Sequence, residues 1–237
     1  MRRFTSALRR GQSLVEYVLI LALVAVVVVG ALRLLGVNIG SAFCKTVQGV
    51  GVQASGICSA GGQFIFNDDF GGGLGNWRLD RGKNWREANG QLCAGPGGEH
   101  RAFANNSSGG DYTVSVNANL SSGPGYGVFF RASGTRLNGY TFQYDASSGG
   151  GQFIIRKWVN GYQISPPIAT SRPPKGFQWR DTARQIEVVA KGNTFEAYVD
   201  GQKVVTGMDN TYSTGGAGLR TWSGSQTCFD NFQVKLP

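Results

Sequence analysis

Apolar and polar residues follow different patterns in the two parts of the chain. Leu14 to Leu35 is apolar apart from Glu16 and Arg33, and the stretch from Tyr17 to Leu32 carries no charge. Because a helix rises about 1.5 Å per residue, about 20 such residues cross the hydrocarbon core of a bilayer. The first part therefore predicts a membrane-spanning helix at some stage of the protein's life.

The second part, from Gln63 onward, alternates apolar and polar residues with a period of two, as strands with one buried face do. Turns rich in Gly, Asn, Asp and Pro separate the runs Tyr112–Asn119, Gly125–Arg131, Tyr140–Tyr144, Gln152–Trp158, Gln185–Ala190, Thr194–Val199, Gly218–Trp222 and Phe229–Val234. The dipeptide Asp200-Gly201 predicts a tight hairpin. The predicted fold class is α plus all-β, a long hydrophobic helix followed by an antiparallel β-sandwich.

Composition and charge refine this picture. The 237 residues suffice for one globular domain with an appendage, and the 37 glycines favour short strands and tight turns. The net charge is +9, but Arg2, Arg3, Arg9 and Arg10 form a basic leader and no run of Lys or Arg follows. The leader predicts a cytoplasmic amino terminus, and the dispersed charge gives no reason to expect a nucleic-acid partner.

The acid at position 16 separates three interpretations of the apolar segment. A secretory signal peptide has an apolar region of ~7 to 15 residues and a small-residue cleavage site, for which Ser41-Ala42-Phe43 is poor. A plain transmembrane anchor fits the length and the charge asymmetry, but it leaves Glu16 unexplained, because a charge within the bilayer costs free energy. A third interpretation accounts for the acid.

The segment resembles the type IVb pilins of the Flp (Tad) family. The resemblance rests on a basic leader ending in Gly11, Gln12 after it, Glu16 beside Tyr17, and the continuation "ALVAVVVVGALRLLGVNIGSAF". It implies that a prepilin peptidase cleaves after Gly11. In the assembled filament Glu16 would pair with the amino terminus of a neighbouring subunit, since an unpaired buried charge is costly. Flp subunits normally end soon after this helix, whereas this chain continues.

The pilin resemblance also implies partners and location. The expected partners are further copies of the chain in a helical filament, the prepilin peptidase and pilus assembly machinery, and the membrane before assembly. The precursor would lie in the cytoplasmic membrane and the assembled subunit in an extracellular pilus. The expected domains are a leader, residues 1–11; a hydrophobic helix and stalk, 12–54; a linker, 55–62; and a β-sandwich, 63–237.

The four cysteines, Cys44, Cys58, Cys93 and Cys228, show neither C-x-x-C spacing nor a nearby His. Disulfides in an oxidising, extracytoplasmic setting are therefore favoured over a metal site. A Cys44–Cys58 bridge would pin the stalk back on the helix, and free or intersubunit thiols are the alternative.

The body resembles the concanavalin A-like jelly-roll modules of laminin-G or family-16 type. The residues that carry the resemblance are Asn67-Asp68-Asp69-Phe70, Gly75-Asn76-Trp77, Asn89-Gly90-Gln91-Leu92, Phe129 to Ser133, Tyr198 to Gly201, Gly218-Leu219-Arg220 and Phe229 to Phe232. In such folds the first and last strands lie near each other, which implies a Cys93–Cys228 bridge between an early strand and the last one. The resemblance identifies a fold and leaves the ligand open.

Enzyme chemistry finds little support in the sequence. Glycosidases of related fold use E-x-D-x-x-E on one strand, and this spacing is absent from the chain. The single histidine, His100, stands beside Glu99 in a Gly-rich stretch without a nucleophile motif and is predicted to be a solvated loop residue. The chain is therefore predicted not to be an enzyme. Asp68, Asp69 and Asp230 could form a Ca²⁺ site, or serve as turn caps instead.

Several arginines and tryptophans alternate out of phase with the apparent core positions. They are predicted to be exposed and to bind glycans through aromatic stacking and guanidinium donors: Arg131, Arg156, Trp158, Arg220 and Trp222. A surface that packs subunits along a fibre is the alternative. The favoured function is a filament subunit that displays the sandwich for adhesion. A non-polymerising, membrane-anchored carbohydrate-binding module is second, and an extracellular hydrolase is third.

Overall fold

The computed structural model describes residues 64–81, 84–133 and 136–237, and Gly62–Pro237 forms one compact unit. Within these ranges, no helix is long and apolar enough to cross a bilayer. The predicted leader, pilin helix, stalk and linker lie outside the described residues, as do Gly11, Gln12, Glu16, Tyr17, Cys44 and Cys58.

Two antiparallel sheets make up the described part of the chain. Sheet A has the order β14-β13-β12-β6-β16-β4-β3, with β1 also paired to β16. Its strands are β1 (Phe64–Asp68), β3 (Trp85–Ala88), β4 (Gln91–Ala94), β6 (Tyr112–Ser122), β12 (Arg184–Lys191), β13 (Thr194–Val199), β14 (Gln202–Met208) and β16 (Gln226–Lys235).

Sheet B has the order β10-β9-β8-β7-β15-β5-β2, with β11 also paired to β9. Its strands are β2 (Trp77–Asp80), β5 (His100–Ala104), β7 (Gly125–Ser133), β8 (Asn138–Asp145), β9 (Gln152–Val159), β10 (Tyr162–Gln163), β11 (Ala169–Ser171) and β15 (Gly216–Thr221). The all-β sandwich predicted for the body is confirmed, and the eight predicted runs fall on β6, β7, β8, β9, β12, β13, β15 and β16.

The main core lies between the two sheets. Alternate residues of each strand point to one face, so Tyr126, Val128 and Phe130 of β7 meet Val114 and Val116 of β6 in one buried cluster. The aromatic stripes of β7 and β8 are core residues, as the alternation predicts. Burial of these large apolar side chains is the main force that holds the sheets together.

Two local predictions are confirmed. Asp200 and Gly201 have φ angles of 50° and 76°, as the tight hairpin between β13 and β14 requires. Cys93 and Cys228 form a disulfide, and they lie directly opposite each other on β4 and β16. Because Leu92 and Phe229 belong to the core, the disulfide lies on the outer face of sheet A.

Candidate functional site

The outer face of sheet B is built around a glycine. In β7, Tyr126 and Val128 face the core, so Gly127 faces outward, with Gln143 of β8 on one side and Arg220 of β15 on the other. These two partners are two strand spacings apart, about 10 Å. Because Gly127 has no side chain, Arg220 reaches across it and donates from Nη1 to Gln143 Oε1 at 2.9 Å.

One carboxylate joins two buried arginines on this face. Glu99 accepts hydrogen bonds from Arg101 Nη2 at 2.6 Å and from Arg220 Nε at 2.7 Å. Arg101 and Arg220 are 2% and 4% exposed. Burial by itself raises the pKa of Glu99, but the hydrogen bonds and charges of the two arginines outweigh it, so the pKa is lowered. Glu99 is therefore an ionised counter-charge at neutral pH.

Two tryptophans stack on the arginines. The Arg220 guanidinium carbon lies 4.6 Å from the ring centroid of Trp158 and 4.5 Å from that of Trp222, within the range of cation–π attraction. The Arg101 guanidinium carbon lies 4.9 Å from the centroid of the Trp158 ring. The residues of this arrangement are named here the arginine–tryptophan layer: Glu99, Arg101, Gln143, Trp158, Arg220 and Trp222.

Trp158 is the covered part of the layer. Its indole nitrogen donates to Thr141 Oγ1 at 2.9 Å, and its ring lies edge-on to Phe129 at 5.7 Å. Leu137 belongs to the same small apolar cluster, and its carbonyl accepts a hydrogen bond from Gly161, in the turn between β9 and β10. Trp158 is consequently 2% exposed, whereas Trp222 is half-buried and keeps part of its ring accessible.

Arg156 lies on the same outer face of β9, two residues from Trp158 and opposite Thr141. It is half-buried, and its guanidinium has no hydrogen-bond partner among the described residues. Its Nε atom is fully buried and also lacks a partner. Burial lowers its pKa, and the charge of Asp145 opposes the shift. An incompletely paired cation at a partly buried position is costly in a protein without a ligand.

A cleft of about 440 Å³ lies at one end of this face. Its walls include Phe103, whose ring lies under the Arg78 guanidinium at 4.7 Å, and the polar residues Asn105, Asn106 and Thr214. Phe103 also stacks on Phe129 at 5.0 Å. The cleft and the arginine–tryptophan layer therefore share one apolar support.

Three of the five predicted glycan-binding residues, Trp158, Arg220 and Trp222, come together in the layer, and Arg156 lies on the same face. The predicted exposure of Trp158 and Arg220 is wrong, because Trp158 packs in a second apolar cluster and Arg220 packs against the rings of Trp158 and Trp222. The alternation correctly excluded them from the main core, but it carries no information about a second layer outside the sheet.

Arg131 is a further correction, because it does not belong to this face. It lies at an irregularity between Phe130 and Ser133, with φ of 44°, and is 2% exposed. Its guanidinium donates to the carbonyls of Gly110 and Gly192 and to Asp111 at 3.1 Å. The bulge turns this side chain into a brace between loops.

His100 is the next correction. It lies on β5 and is 3% exposed, beside Trp85 at a ring distance of 6.4 Å, so it is not a solvated loop residue. The glycines around it led to the loop prediction, whereas the alternation of Glu99, Arg101 and Phe103 with His100 and Ala102 is the strand signal that could have located Glu99 and Arg101.

Two of the three proposed calcium ligands, Asp68 and Asp69, accept hydrogen bonds from neighbouring parts of the chain. Asp68 accepts from Phe70 N at 2.7 Å and from Trp77 Nε1 at 2.8 Å, and Asp69 accepts from Gly71 N at 3.1 Å. Asp230 does not join them: in the part of the chain that the structure describes, no three His, Cys, Asp or Glu side chains are grouped to hold a metal ion. Calcium binding stays an untested prediction.

These features define an all-β jelly-roll domain with a packed arginine–tryptophan layer on the outer face of sheet B. Residues 63–235 match the family described as 3-keto-alpha-glucoside-1,2-lyase-like domain, and the chain belongs to that family. Comparison with curated proteins finds no match.

Solved structures share the fold. The carbohydrate-binding module CBM66 from Bacillus subtilis has a TM-score of 0.59 at 22% identity, over 68% of this chain and 95% of that chain. A Bacillus subtilis protein of unknown function with a galectin-like fold has a TM-score of 0.59 at 13% identity, over 74% and 96%. The Bacillus licheniformis beta-glucanase has a TM-score of 0.53 at 14% identity, over 74% and 99%.

Proposed function

We propose that the sandwich is a saccharide-binding domain and that the ligand lies on the outer face of sheet B, against Trp222 and Arg156. The observation that carries this proposal is the arginine–tryptophan layer, which fixes a half-exposed indole on a rigid polar support. A sugar presents a C–H face to an aromatic ring and hydroxyls to hydrogen-bonding groups, and such a surface offers both. The fold shared with a carbohydrate-binding module supports the same assignment.

The electrostatics of the face favour binding over hydrolysis. A glycosidase needs one carboxyl with a raised pKa as general acid and a second carboxylate across the scissile bond. Glu99 has a lowered pKa and is held by Arg101 and Arg220, so it is a poor proton donor. We therefore assign Glu99 the role of orienting the arginines.

A lyase is the second candidate, and membership of the 3-keto-alpha-glucoside-1,2-lyase-like family favours it. Elimination next to a ketone requires a base that removes the proton on the adjacent carbon while the group at C1 leaves. Glu99 is ionised, as a base must be, but both of its oxygens are engaged. Incubation of the full chain with a 3-keto glucoside would test this candidate, since elimination of the group at C1 supports it and no turnover rejects it.

The apolar segment at the amino terminus is the basis for a proposal about where the domain lies in the cell. We propose that it holds the sandwich on the outer side of the cytoplasmic membrane, as a membrane-anchored binding module. Polymerisation through a pilin-like helix stays a prediction on residues outside those described. Mass spectrometry of the mature amino terminus and electron microscopy of sheared surface material separate the two. Cleavage after Gly11 with filaments supports the pilin, and an intact leader without filaments supports the anchor.

Saccharide binding is tested with a glycan array probed by the full chain in a polyoxyethylene detergent, which carries no sugar. Binding that Trp222→Ala weakens supports the proposal. Tyr198→Ala, on the outer face of sheet A, is the control. Binding that both variants weaken equally, or binding to no saccharide, would reject the assigned face.

A further inference from the structure

The charges on the outer face of sheet B are unequal. Arg101 and Arg220 share Glu99, with contacts of 2.6 and 2.7 Å, so this ion-paired group retains one positive charge. Asp80 lies opposite Arg101 on β2, but it forms no ion pair within 4.0 Å with Arg101 or Arg220. Arg156 adds another positive charge on the same face. Burial lowers the pKa of Arg220 to about 10; the charge and hydrogen bond of Glu99 oppose this shift, and the like charges of Arg101 and Arg156 add to it.

Arg156 is the cation available to a ligand. The Arg101 and Arg220 side chains are 3% and 5% exposed and are tied to Glu99, whereas Arg156 is half-buried and its terminal nitrogens contact no acceptor in residues 64–81, 84–133 or 136–237. Its neighbours on the same face of β9, Ile154 and Trp158, are 0% and 2% exposed. A guanidinium fork with open N–H groups matches the two oxygens of a carboxylate.

The negative charge of Asp145 influences the pKa of Arg156, but the two side chains do not form an ion pair within 4.0 Å. Oδ1 of Asp145 instead accepts from the backbone N and the hydroxyl of Ser147, at 3.0 and 2.5 Å, in the turn after β8. The turn thus engages Oδ1 of this carboxylate, and Asp145 lies opposite Gln152, four positions along the strand from the residue opposite Arg156.

We propose that the ligand of this face is an anionic saccharide, whose carboxylate or sulfate accepts hydrogen bonds from Arg156. This inference rests on the proposed saccharide-binding function and adds the charge of the ligand to it. A neutral sugar would leave Arg156 without a counter-charge, whereas an acidic sugar residue supplies one. Glu99 keeps Arg101 and Arg220 from competing for the same anion.

The test compares matched ligands on the full chain by isothermal titration calorimetry in a sugar-free detergent. The probes are an oligogalacturonate, its methyl ester, which is neutral, and a sulfated dextran oligosaccharide. We expect the charged probes to bind about tenfold or more tightly than the ester, as hydrogen bonds to charged groups contribute more than neutral ones. The carboxylated and sulfated probes distinguish the two sources of negative charge.

Arg156→Gln is expected to remove this preference, so that the charged probes bind no more tightly than the methyl ester. Arg86→Gln is the matched control, since it removes one positive charge from an exposed position on β3 of sheet A. Thermal unfolding of both variants verifies that they fold, and Arg156→Lys, which keeps the charge but loses the fork, is expected to restore part of the preference.

Three outcomes would overturn the inference. Equal affinity for the acid and its ester would reject the anionic ligand and leave saccharide binding intact. Equal weakening by Arg156→Gln and Arg86→Gln would show a general charge effect and reject the site at Arg156. Absence of binding to all three probes and to every glycan of the array would reject the proposed function itself.

Discussion

The outer faces of the two sheets belong to the same sandwich but are built differently. On sheet A, β6 presents the small polar residues Thr113, Ser115 and Asn117, and Glu196 pairs with Lys203, which is 51% exposed. On sheet B the outer face carries aromatic and arginine side chains, of which Trp158, Arg101 and Arg220 are almost fully buried. The first face is an ordinary solvated surface, and the second is an additional packed layer.

The outer face of sheet B contains more buried charge than the folding of a β-sandwich requires. An exposed ion pair contributes little to stability, and polar residues on an outer face satisfy the fold at small cost. Burying two arginines and their carboxylate outside the core carries a large desolvation cost, which must be offset by close geometry. Such an arrangement, with a further cation left without a hydrogen-bond acceptor, is typical of a binding surface.

The largest expected effect is that of Glu99→Gln. It leaves the charges of Arg101 and Arg220 buried without a counter-charge, and we expect unfolding to become easier by about 3 to 5 kcal/mol. Urea unfolding followed by fluorescence measures the change. The matched variant on sheet A is Glu196→Gln, which removes a solvated partner of Lys203 and is expected to cost little. Equal losses in the two variants would contradict the distinction between the faces.

Gly127→Val tests the contact across β7. A Cβ at this glycine would lie 3.1 Å from the Phe142 carbonyl oxygen and 3.2 Å from Gln143 Cβ, so a branched side chain would separate Gln143 from Arg220. We expect a loss of stability of about 1 to 3 kcal/mol, together with weaker saccharide binding. Ser115→Val on the outer face of sheet A is the control and is expected to change stability by about 0.5 kcal/mol or less. If Gly127→Val changed neither stability nor binding, the contact between Gln143 and Arg220 would be dispensable.

Acid should weaken the sandwich through Glu99. Because its pKa is lowered in the folded chain, the unfolded chain takes up the proton first as the pH falls. The stabilisation is present above the ordinary value of 4.5 and is lost as the pH falls through the folded-state value. Asp209, whose pKa is also lowered despite burial, by hydrogen bonds from Lys157, Thr211 and Tyr140, contributes in the same direction.

The difference between the native chain and Glu99→Gln isolates the contribution of Glu99. Melting temperatures from pH 7 to pH 3 should fall more steeply for the native chain, so that the two curves converge in acid. Parallel curves would show that this carboxylate has the same pKa in the folded and unfolded chain.

Much of the fold follows from alternation in the sequence. The core stripes of β7 and β8, the hairpin at Asp200-Gly201 and the Cys93–Cys228 bridge depend on local patterns or on the closeness of first and last strands. The alternation also predicts that Trp158 and Arg220 lie on the outer face, because core residues occupy the other positions of their strands.

Burial outside the core could not be predicted in the same way. Trp158 packs with Leu137 and Phe129 in a second apolar cluster, and Arg131 is turned inward at a bulge. The partnership of Glu99 with Arg220 joins residues 121 positions apart through strand order. These features arise from long-range packing and register irregularities, which a period of two does not encode.

The smallest expected effect is that of Trp222→Ala on affinity. Loss of a half-exposed stacking ring should weaken saccharide binding by about 1 kcal/mol, or about fivefold, with little change in folding. Titration of the variant with the strongest ligand from the glycan array measures it. Unchanged affinity would move the ligand away from the layer.

The central claim is that a saccharide binds on the outer face of sheet B, and indole NMR signals test it most directly. The chain contains five tryptophans, of which Trp77, Trp85 and Trp179 belong to the main core and Trp158 and Trp222 to the outer layer. On titration with ligand we expect the Trp222 indole signal to shift most and that of Trp158 next, with the three core signals nearly unchanged. Shifts confined to the core tryptophans, with Trp222 unmoved, would contradict the account.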